Sequence, residues 1–326
     1  MSFSLFATVA VIAYALICMA YVYKWRGTTR YTFSQYMRKS WPIFAPLNCV
    51  LYMTTRASAR KPVLSADSVP NLSILRDNWE VIRDEALRLR SDGAFEAAKA
   101  AGSAGYYDVG FRTFFKRGWS KFYLKWYGTT HRSAQLACPK TVALLNQVPE
   151  IHGAMFSILP AGSELSLHSD PMACSLRYQL GLQTPNSDRC VITVDGIDCA
   201  WYDGKDFIFD ETYPHHALNG TESSRLILMC DVARPLNVVG RVFNYFYRFL
   251  ARGTVVPNTE DDKKGALSAI FSSISPIQRK LKNLKTENRN IYRVFKLFTN
   301  TTIILIALSI IYFVFYLLEI ILENGL

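Results

Sequence analysis

Residues 153–232 read GAMFSILPAGSELSLHSDPMACSLRYQLGLQTPNSDRCVITVDGIDCAWYDGKDFIFDETYPHHALNGTESSRLILMCDV, and this stretch decides the fold. Short apolar pieces (AMFSIL, SLRYQLGL, CVITV, DFIFD, RLILMCDV) alternate with turn-rich ones (PAGS, TPNSD, VDG, YDGKD, NGTESS). Closely spaced short strands of this kind predict an antiparallel sandwich or barrel, with a jelly roll among the options. The expected class is therefore mainly β, with helices on either side.

Inside that stretch lie two histidine-bearing segments, LHSDP at 167–171 and FDETYPHHALNGTESSR at 209–225. His168 and Asp170 sit two apart, so on an extended segment they project to the same side. His215 supplies a second imidazole from far along the chain. His-x-Asp with a distant His is the ligand pattern of non-haem Fe(II) oxygenases, which leaves positions open for co-substrates. Arg225 offers a planar fork suited to the distal carboxylate of 2-oxoglutarate. Asn219–Gly220 is a strong hairpin signal. An odd-numbered loop centred on Gly220 would place 215 and 225 directly opposite each other, with Cβ atoms ~5 Å apart. Successive side chains alternate, so only one of His215 and His216 can point inward, and the ten-residue spacing to Arg225 favours His215.

The ends of the chain differ in character. Residues 3–23 and 297–318 contain no charged side chain. Each is long enough to cross a hydrocarbon layer of ~30 Å as a helix. Lys24, Arg26, Arg30, Arg38 and Lys39 follow the first span; Arg279, Lys280, Lys282, Lys285, Arg289, Arg293 and Lys296 precede the second. Only Glu319 and Glu323 lie beyond it. The positive-inside rule puts the intervening chain in the cytoplasm. The net charge of +11 counts these flanks and also suits an anionic membrane surface or a phosphorylated substrate. No recognition motif points to nucleic acid, and no obligate protein partner is evident. Seven cysteines without a C-x-x-C pair argue against a disulfide framework or structural zinc and suit a reducing compartment.

Between the spans, 41–54 is uncharged and too short to cross. It reads as interfacial or re-entrant, or as a core segment. Residues 71–91 predict an amphipathic helix, with Leu75, Trp79, Ile82 and Ala86 at helical spacing and Gly93 to end it. The segment 114–128 interleaves basic and aromatic residues; as a strand it sets Lys121, Tyr123 and Lys125 on one face, either solvated or docked on lipid head groups. Residues 238–252 suit a membrane-surface helix or one packed on the sheet, and 256–265 a polar linker. The expected division is 3–23 transmembrane, 24–70 membrane-proximal, 71–236 catalytic, 237–296 amphipathic helix, linker and basic stem, and 297–318 transmembrane.

From about 72 to 236 the chain resembles the aspartyl/asparaginyl β-hydroxylase family, double-stranded β-helix (jelly-roll) dioxygenases. The matching pieces are NWEVIRDE, FYLKWYG, CPKTVALLN, GAMFSILPAGS, HSDPMACSLRYQLGL, FDETYPHHALN and RLILMCDVARPL. Within the group it most resembles the membrane-bound hydroxylases of lipid A acyl chains. The resemblance implies Fe(II) held by His168, Asp170 and His215, with O₂ and 2-oxoglutarate as co-substrates. It implies 2-oxoglutarate contacts from Ser157, Arg177 and Arg225. Peptide-hydroxylating relatives carry glycine where this chain has Asp170. Gln179 stands where the family usually has histidine, and its amide can still donate to a carboxylate. The activity implied is hydroxylation of a fatty-acyl chain of lipid A, or a related acylated glycolipid, beside its carbonyl. The enzyme would be a multi-pass protein of the bacterial inner membrane, its catalytic domain facing the cytoplasm. The alternatives are peptide Asp/Asn hydroxylation and a membrane-tethered jelly-roll module without turnover.

Overall fold

Eight consecutive strands are dealt between two antiparallel sheets, changing sheet at every step except from β7 to β8. They are β4 (Ile151–Leu159), β5 (Glu164–His168), β6 (Ser175–Gln183), β7 (Cys190–Val194), β8 (Ile197–Ala200), β9 (Asp206–Phe209), β10 (His215–Asn219) and β11 (Arg225–Ala233). Three earlier strands, β1 (Val63–Leu64), β2 (Ser120–Trp126) and β3 (Thr129–Thr130), extend one sheet. The larger sheet runs β1-β9-β6-β11-β4-β2-β3 and the smaller β5-β10-β7-β8. That dealing is a jelly roll. The computed structural model describes residues 2–100, 102–106, 108, 118–270, 273, 284 and 286–323. The sequence expectations for 114–117 and for Arg279, Lys280, Lys282 and Lys285 fall outside the described residues.

The chain divides into two compact units, Tyr23–Ser272 and the pairing of Met1–Val22 with Ser273–Leu326. In the first unit, two cores flank the larger sheet. On its outer side Leu226, Leu228, Cys230 and Val232 of β11 pack with Leu75, Ile82, Ala86 and Leu145 from helices. On its inner side Ile227 and Met229 meet Ile192, Val194 and Ala217 of the smaller sheet. Burial on both faces explains the unbroken apolar run of β11, since a strand covered on both sides loses the usual alternation.

The predicted helix over 71–91 forms as two segments, Ser73–Asp77 and Trp79–Ser91, parted at Asn78. Gly93 at φ 74° then turns the chain out of the helix, a left-handed conformation glycine adopts without a Cβ penalty.

The expected hairpin joining His215 to Arg225 does not form. β10 pairs with β5 and β7, whereas β11 pairs with β4 and β6. The reason lies in Asn219. Its Nδ2 donates to Pro160 O (3.0 Å) and Ser223 O (2.8 Å), and its Oδ1 accepts from Thr221 Oγ1 (2.6 Å). These bonds build a crossing loop between sheets. Neither Asn219 nor Gly220 takes the positive φ that a two-residue hairpin turn needs. The tight hairpin is instead Asp195–Gly196, at φ 49° and 85°, with Val194 opposite Ile197.

β2 also departs from expectation. A register shift between Tyr123 and Lys125 breaks the alternation, so Tyr123 and Trp126 both join the inner core. Lys121 is buried and paired with Asp108 rather than solvated or lipid-facing. Burial pushes its ammonium below the ordinary lysine value against the pull of Asp108.

In the other unit, Phe3–Lys24 is, among the described residues, the one helix long and apolar enough to cross a membrane. A second helix spans Arg289–Glu323. Its Glu319 accepts from the backbone amides of Phe3 (3.0 Å) and Ser4 (3.1 Å), filling two of the orphan donors at the start of the first helix.

Candidate active site

β5 and β10 are neighbours, and their register sets His168 directly opposite His215. The two rings lie 4.2 Å apart, centroid to centroid. Two residues past His168, the Asp170 amide donates to Glu211 O at 2.8 Å, which holds the loop against the chain leading into β10. One ligand-type atom from each of His168, Asp170 and His215 lies within 4.8 Å of the other two. His216 faces outward while His215 is buried.

Hydrogen bonding sets the tautomers. His168 Nδ1 meets Ser166 O and His215 Nδ1 meets Tyr213 O, each at 2.9 Å. A carbonyl only accepts, so each ring carries its proton on Nδ1 and turns the Nε2 lone pair the other way. Burial pushes both imidazoles below their ordinary value, His215 to about 3 with help from His168. For Asp170 burial acts upward, but Arg177, His215 and His168 outweigh it and hold the carboxyl low. Two neutral imidazoles and an ionised carboxylate are the protonation states metal ligands need. The residues present fit a divalent cation.

Arg177 was expected to touch the co-substrate. It is instead engaged by three carboxylates, Asp170 (Nη2–Oδ2 3.0 Å), Glu211 (Nε–Oε2 2.8 Å) and Asp231 (Nε–Oδ1 3.0 Å). It sits opposite Asp231 on β11 and Phe209 on β9. One guanidinium does not neutralise three acids, two of which, Glu211 and Asp231, are buried. Burial raises Glu211 and Asp231, Arg177 opposing it in both cases.

Arg225 presents the opposite imbalance. It is 1% exposed, its guanidinium stacked on Trp201 (4.3 Å) and near Trp119 (5.4 Å). Its Nη2 reaches Ser157 Oγ at 3.4 Å, and its Nε has no hydrogen-bond partner. Among the described residues no carboxylate pairs with it. Burial lowers its pKa to about 9. An uncompensated buried cation is costly, and a carboxylate-bearing ligand relieves that cost. Beside it Gln179 accepts from Trp201 Nε1 (2.6 Å) and directs its Nε2 toward Met229 Sδ (3.8 Å).

Several contributors were not singled out from the sequence. Asp210, next to Glu211, is clamped by Arg26 and Arg234, each at 2.8 Å. Arg26, expected as a flanking charge for the first span, is buried between the rings of Tyr52 (3.7 Å) and Tyr213 (3.8 Å). Asp195 accepts from the amides of Thr28 (2.8 Å) and Thr29 (2.7 Å), and Tyr31 hydroxyl meets Ser169 Oγ at 3.0 Å. A Cβ on Gly27 would come within 2.7 Å of the Asp195 carboxylate. Residues 26–31 thus wrap the loops that carry His168, Asp170 and His215. The acid-rich FDET piece was the available signal.

The sequence model of the aspartyl/asparaginyl β-hydroxylase family matches residues 76–235. The chain is similar to an ornithine lipid ester-linked acyl 2-hydroxylase of Rhizobium tropici, 37% identical over 134 residues, 41% of this chain and 48% of that protein. It is similar to human aspartyl/asparaginyl β-hydroxylase, 34% identical over 166 residues, 49% of this chain and 21% of that one. The chain thus spans less than half the length of these curated relatives. Among solved structures it overlaps loosely with a Pseudomonas putida prolyl-4-hydroxylase, at 17% identity and TM-score 0.32 over 59% of this chain and 98% of that one. Residues 76–235 of the chain thus form a domain that matches the aspartyl/asparaginyl β-hydroxylase family.

Proposed function

We propose that this protein is an Fe(II)/2-oxoglutarate-dependent dioxygenase that hydroxylates a fatty-acyl chain of lipid A, at the carbon beside the carbonyl, from the cytoplasmic face of a bacterial inner membrane. One observation carries the cofactor reading: a cluster made for a cation and a buried cation lacking its anion line the same interior. His168, Asp170 and His215 would hold the iron. Arg225, with Ser157, would fork onto the distal carboxylate of 2-oxoglutarate. Trp119 and Trp201 keep water from that contact, which strengthens it. Arg177 orients Asp170 and keeps it ionised. Iron, 2-oxoglutarate and O₂ together would supply the oxidising power to place one oxygen atom in an aliphatic C–H bond, releasing succinate and CO₂.

The acyl substrate is supported by the name of the Rhizobium relative, whose substrate is a lipid acyl group. Asp170 adds support, because the resemblance sets glycine there in peptide-hydroxylating relatives. Helix Phe3–Lys24 adds an anchor, and the uncharged run at 297–318 a second. Confining enzyme and lipid to one surface raises effective concentration without new contacts. Expression in a lipid A-producing host lacking such an enzyme is expected to add ~16 Da, one oxygen atom, to a lipid A species. An unchanged spectrum with iron-loaded protein present contradicts the substrate and leaves the dioxygenase chemistry to be judged by its cofactor binding.

A further inference from the structure

Helix Val238–Arg252 is amphipathic in the reverse sense for a helix lying on a folded domain. Its buried stripe is Gly240, Asn244, Tyr247 and Ala251. Its apolar stripe is Val238, Val239, Val242, Tyr245, Phe246 and Phe249, and it faces out, with Val239 67%, Phe246 68% and Phe249 66% exposed. A surface helix ordinarily turns its apolar stripe to the core.

A second helix, Ala45–Thr54, lies antiparallel against it. A Cβ on Gly240 would come within 2.4 Å of Thr54 Oγ1, while at the other end Tyr247 hydroxyl donates to Asn48 Oδ1 at 3.0 Å. Its buried residues are Ala45, Asn48, Cys49 and Leu51. Trp41, Ile43 (77% exposed) and Met53 are left outside. Both helices turn their inner sides to one cluster containing Ala173, Cys174 and Leu236, and each leaves apolar side chains exposed on or beside its other side, Met53 with Trp41 and Ile43 for the one and Val239, Val242, Phe246 and Phe249 for the other.

We infer that these two helices form a plate that seats in the surface of an anionic phospholipid bilayer. Three features select lipid as the occupant. The contiguous exposed apolar residues are those of an in-plane interfacial helix, with aromatic rings and basic side chains together. Arg241 and Arg252 are exposed on the same helix, and Arg38 and Arg56 flank the other, a charge pattern matched to anionic head groups. The chain also enters this unit directly from Phe3–Lys24, so the plate belongs to a domain tethered at its first residue to the proposed membrane anchor.

The inner side of the plate holds the chain that follows Asp170. Asn48 Nδ2 donates to Pro171 O (2.9 Å) and its Oδ1 accepts from Ala173 N (2.9 Å). Asn244 Nδ2 donates to Cys174 O at 2.8 Å. Seating the plate therefore fixes the candidate metal centre at a set depth from the lipid surface. This presupposes the membrane anchoring proposed above, and the test separates the two.

The full chain is reconstituted in phosphatidylglycerol-containing vesicles doped with a phospholipid bearing a diazirine on its acyl chain. After illumination, adducts are mapped by mass spectrometry. Adducts are expected in 41–53 and 238–252 as well as in 3–24. Adducts confined to 3–24 and the C-terminal helix overturn the plate and leave the anchor. Loss of adducts from 3–24 overturns the anchor and the plate together. The variant carrying Val242→Glu, Phe246→Glu and Phe249→Glu alters only outward side chains. It is expected to lose adducts several-fold in 41–53 with 3–24 unchanged, and equal yield at 41–53 overturns the plate. The single variant Phe246→Ser reads the same loss more weakly should the triple variant fold poorly.

Discussion

Two buried arginines in one jelly roll have opposite surroundings. Arg177 is shared by three carboxylates, Asp170, Glu211 and Asp231. Arg225, one strand away on β11, is walled by tryptophan, with a serine hydroxyl as its one side-chain hydrogen-bond partner among the described residues. The first region gathers more acids than one guanidinium can balance, so that burial raises Glu211 and Asp231 beside two neutral imidazoles, and the second holds a buried positive charge with no carboxylate partner among the described residues. Together they suit a cation at one end and, at the other, a ligand carrying an anion. A metal chelated by a dicarboxylate meets both demands.

The largest expected effect lies in the ligand cluster. His215→Ala should abolish iron-dependent turnover, by more than the ~10–100-fold that losing an outer partner costs. His216→Ala, altering an outward side chain, should keep most activity. Assays of succinate release check this, and the reverse pattern breaks the inward assignment of His215.

Arg177→Met leaves Asp170 and the buried Glu211 and Asp231 without their cation. It should cost about 3–5 kcal/mol of stability at neutral pH, the usual penalty for halving a buried pair. Thermal unfolding of the detergent-solubilised protein measures it. An unchanged midpoint would show that the acids are compensated by another group.

Arg225→Lys keeps the charge and loses the fork. It should weaken 2-oxoglutarate binding by about 1.5–3 kcal/mol, the worth of a hydrogen bond to a charged group, while iron affinity stays unchanged. Equal co-substrate dependence in mutant and parent breaks the comparison, because Arg225 would then need no anion.

The smallest effect is on pH dependence. Burial holds Glu211 above the ordinary glutamate value of 4.5. The folded chain therefore keeps a proton that the unfolded chain has released. That contribution is fully present below about pH 4.5 and is lost as pH rises through the elevated folded value. Glu211→Gln should flatten this decline in the metal-free protein by on the order of 1 kcal/mol. A stability–pH curve of unchanged slope contradicts the retained proton on Glu211 beside Arg177.

The strands and the ligand cluster were legible because both rest on a period of two. Alternation marks a strand, and two-residue spacing puts His168 and Asp170 on one side. The partner of His215 was not legible. Asn219–Gly220 looks locally like a hairpin, but β10 and β11 belong to opposite sheets of the jelly roll. His215 therefore faces His168 and not Arg225. Lys121 looked solvated because Asp108 reaches it from outside any strand, and Arg26 looked topogenic because Asp210 and its aromatic walls come from distant segments. Periodicity reports which way a side chain points; it does not report which distant charge it will meet.

The most direct test is an anaerobic titration of the Fe(II)-loaded protein with 2-oxoglutarate, followed by visible absorbance. A weak charge-transfer band is expected in the parent, absent in His215→Ala, and displaced to higher 2-oxoglutarate concentration in Arg225→Lys. A parent that binds iron yet shows no band, or an Arg225→Lys titration overlaying the parent, would contradict the assignment of the two charge-imbalanced regions to one metal and one dicarboxylate.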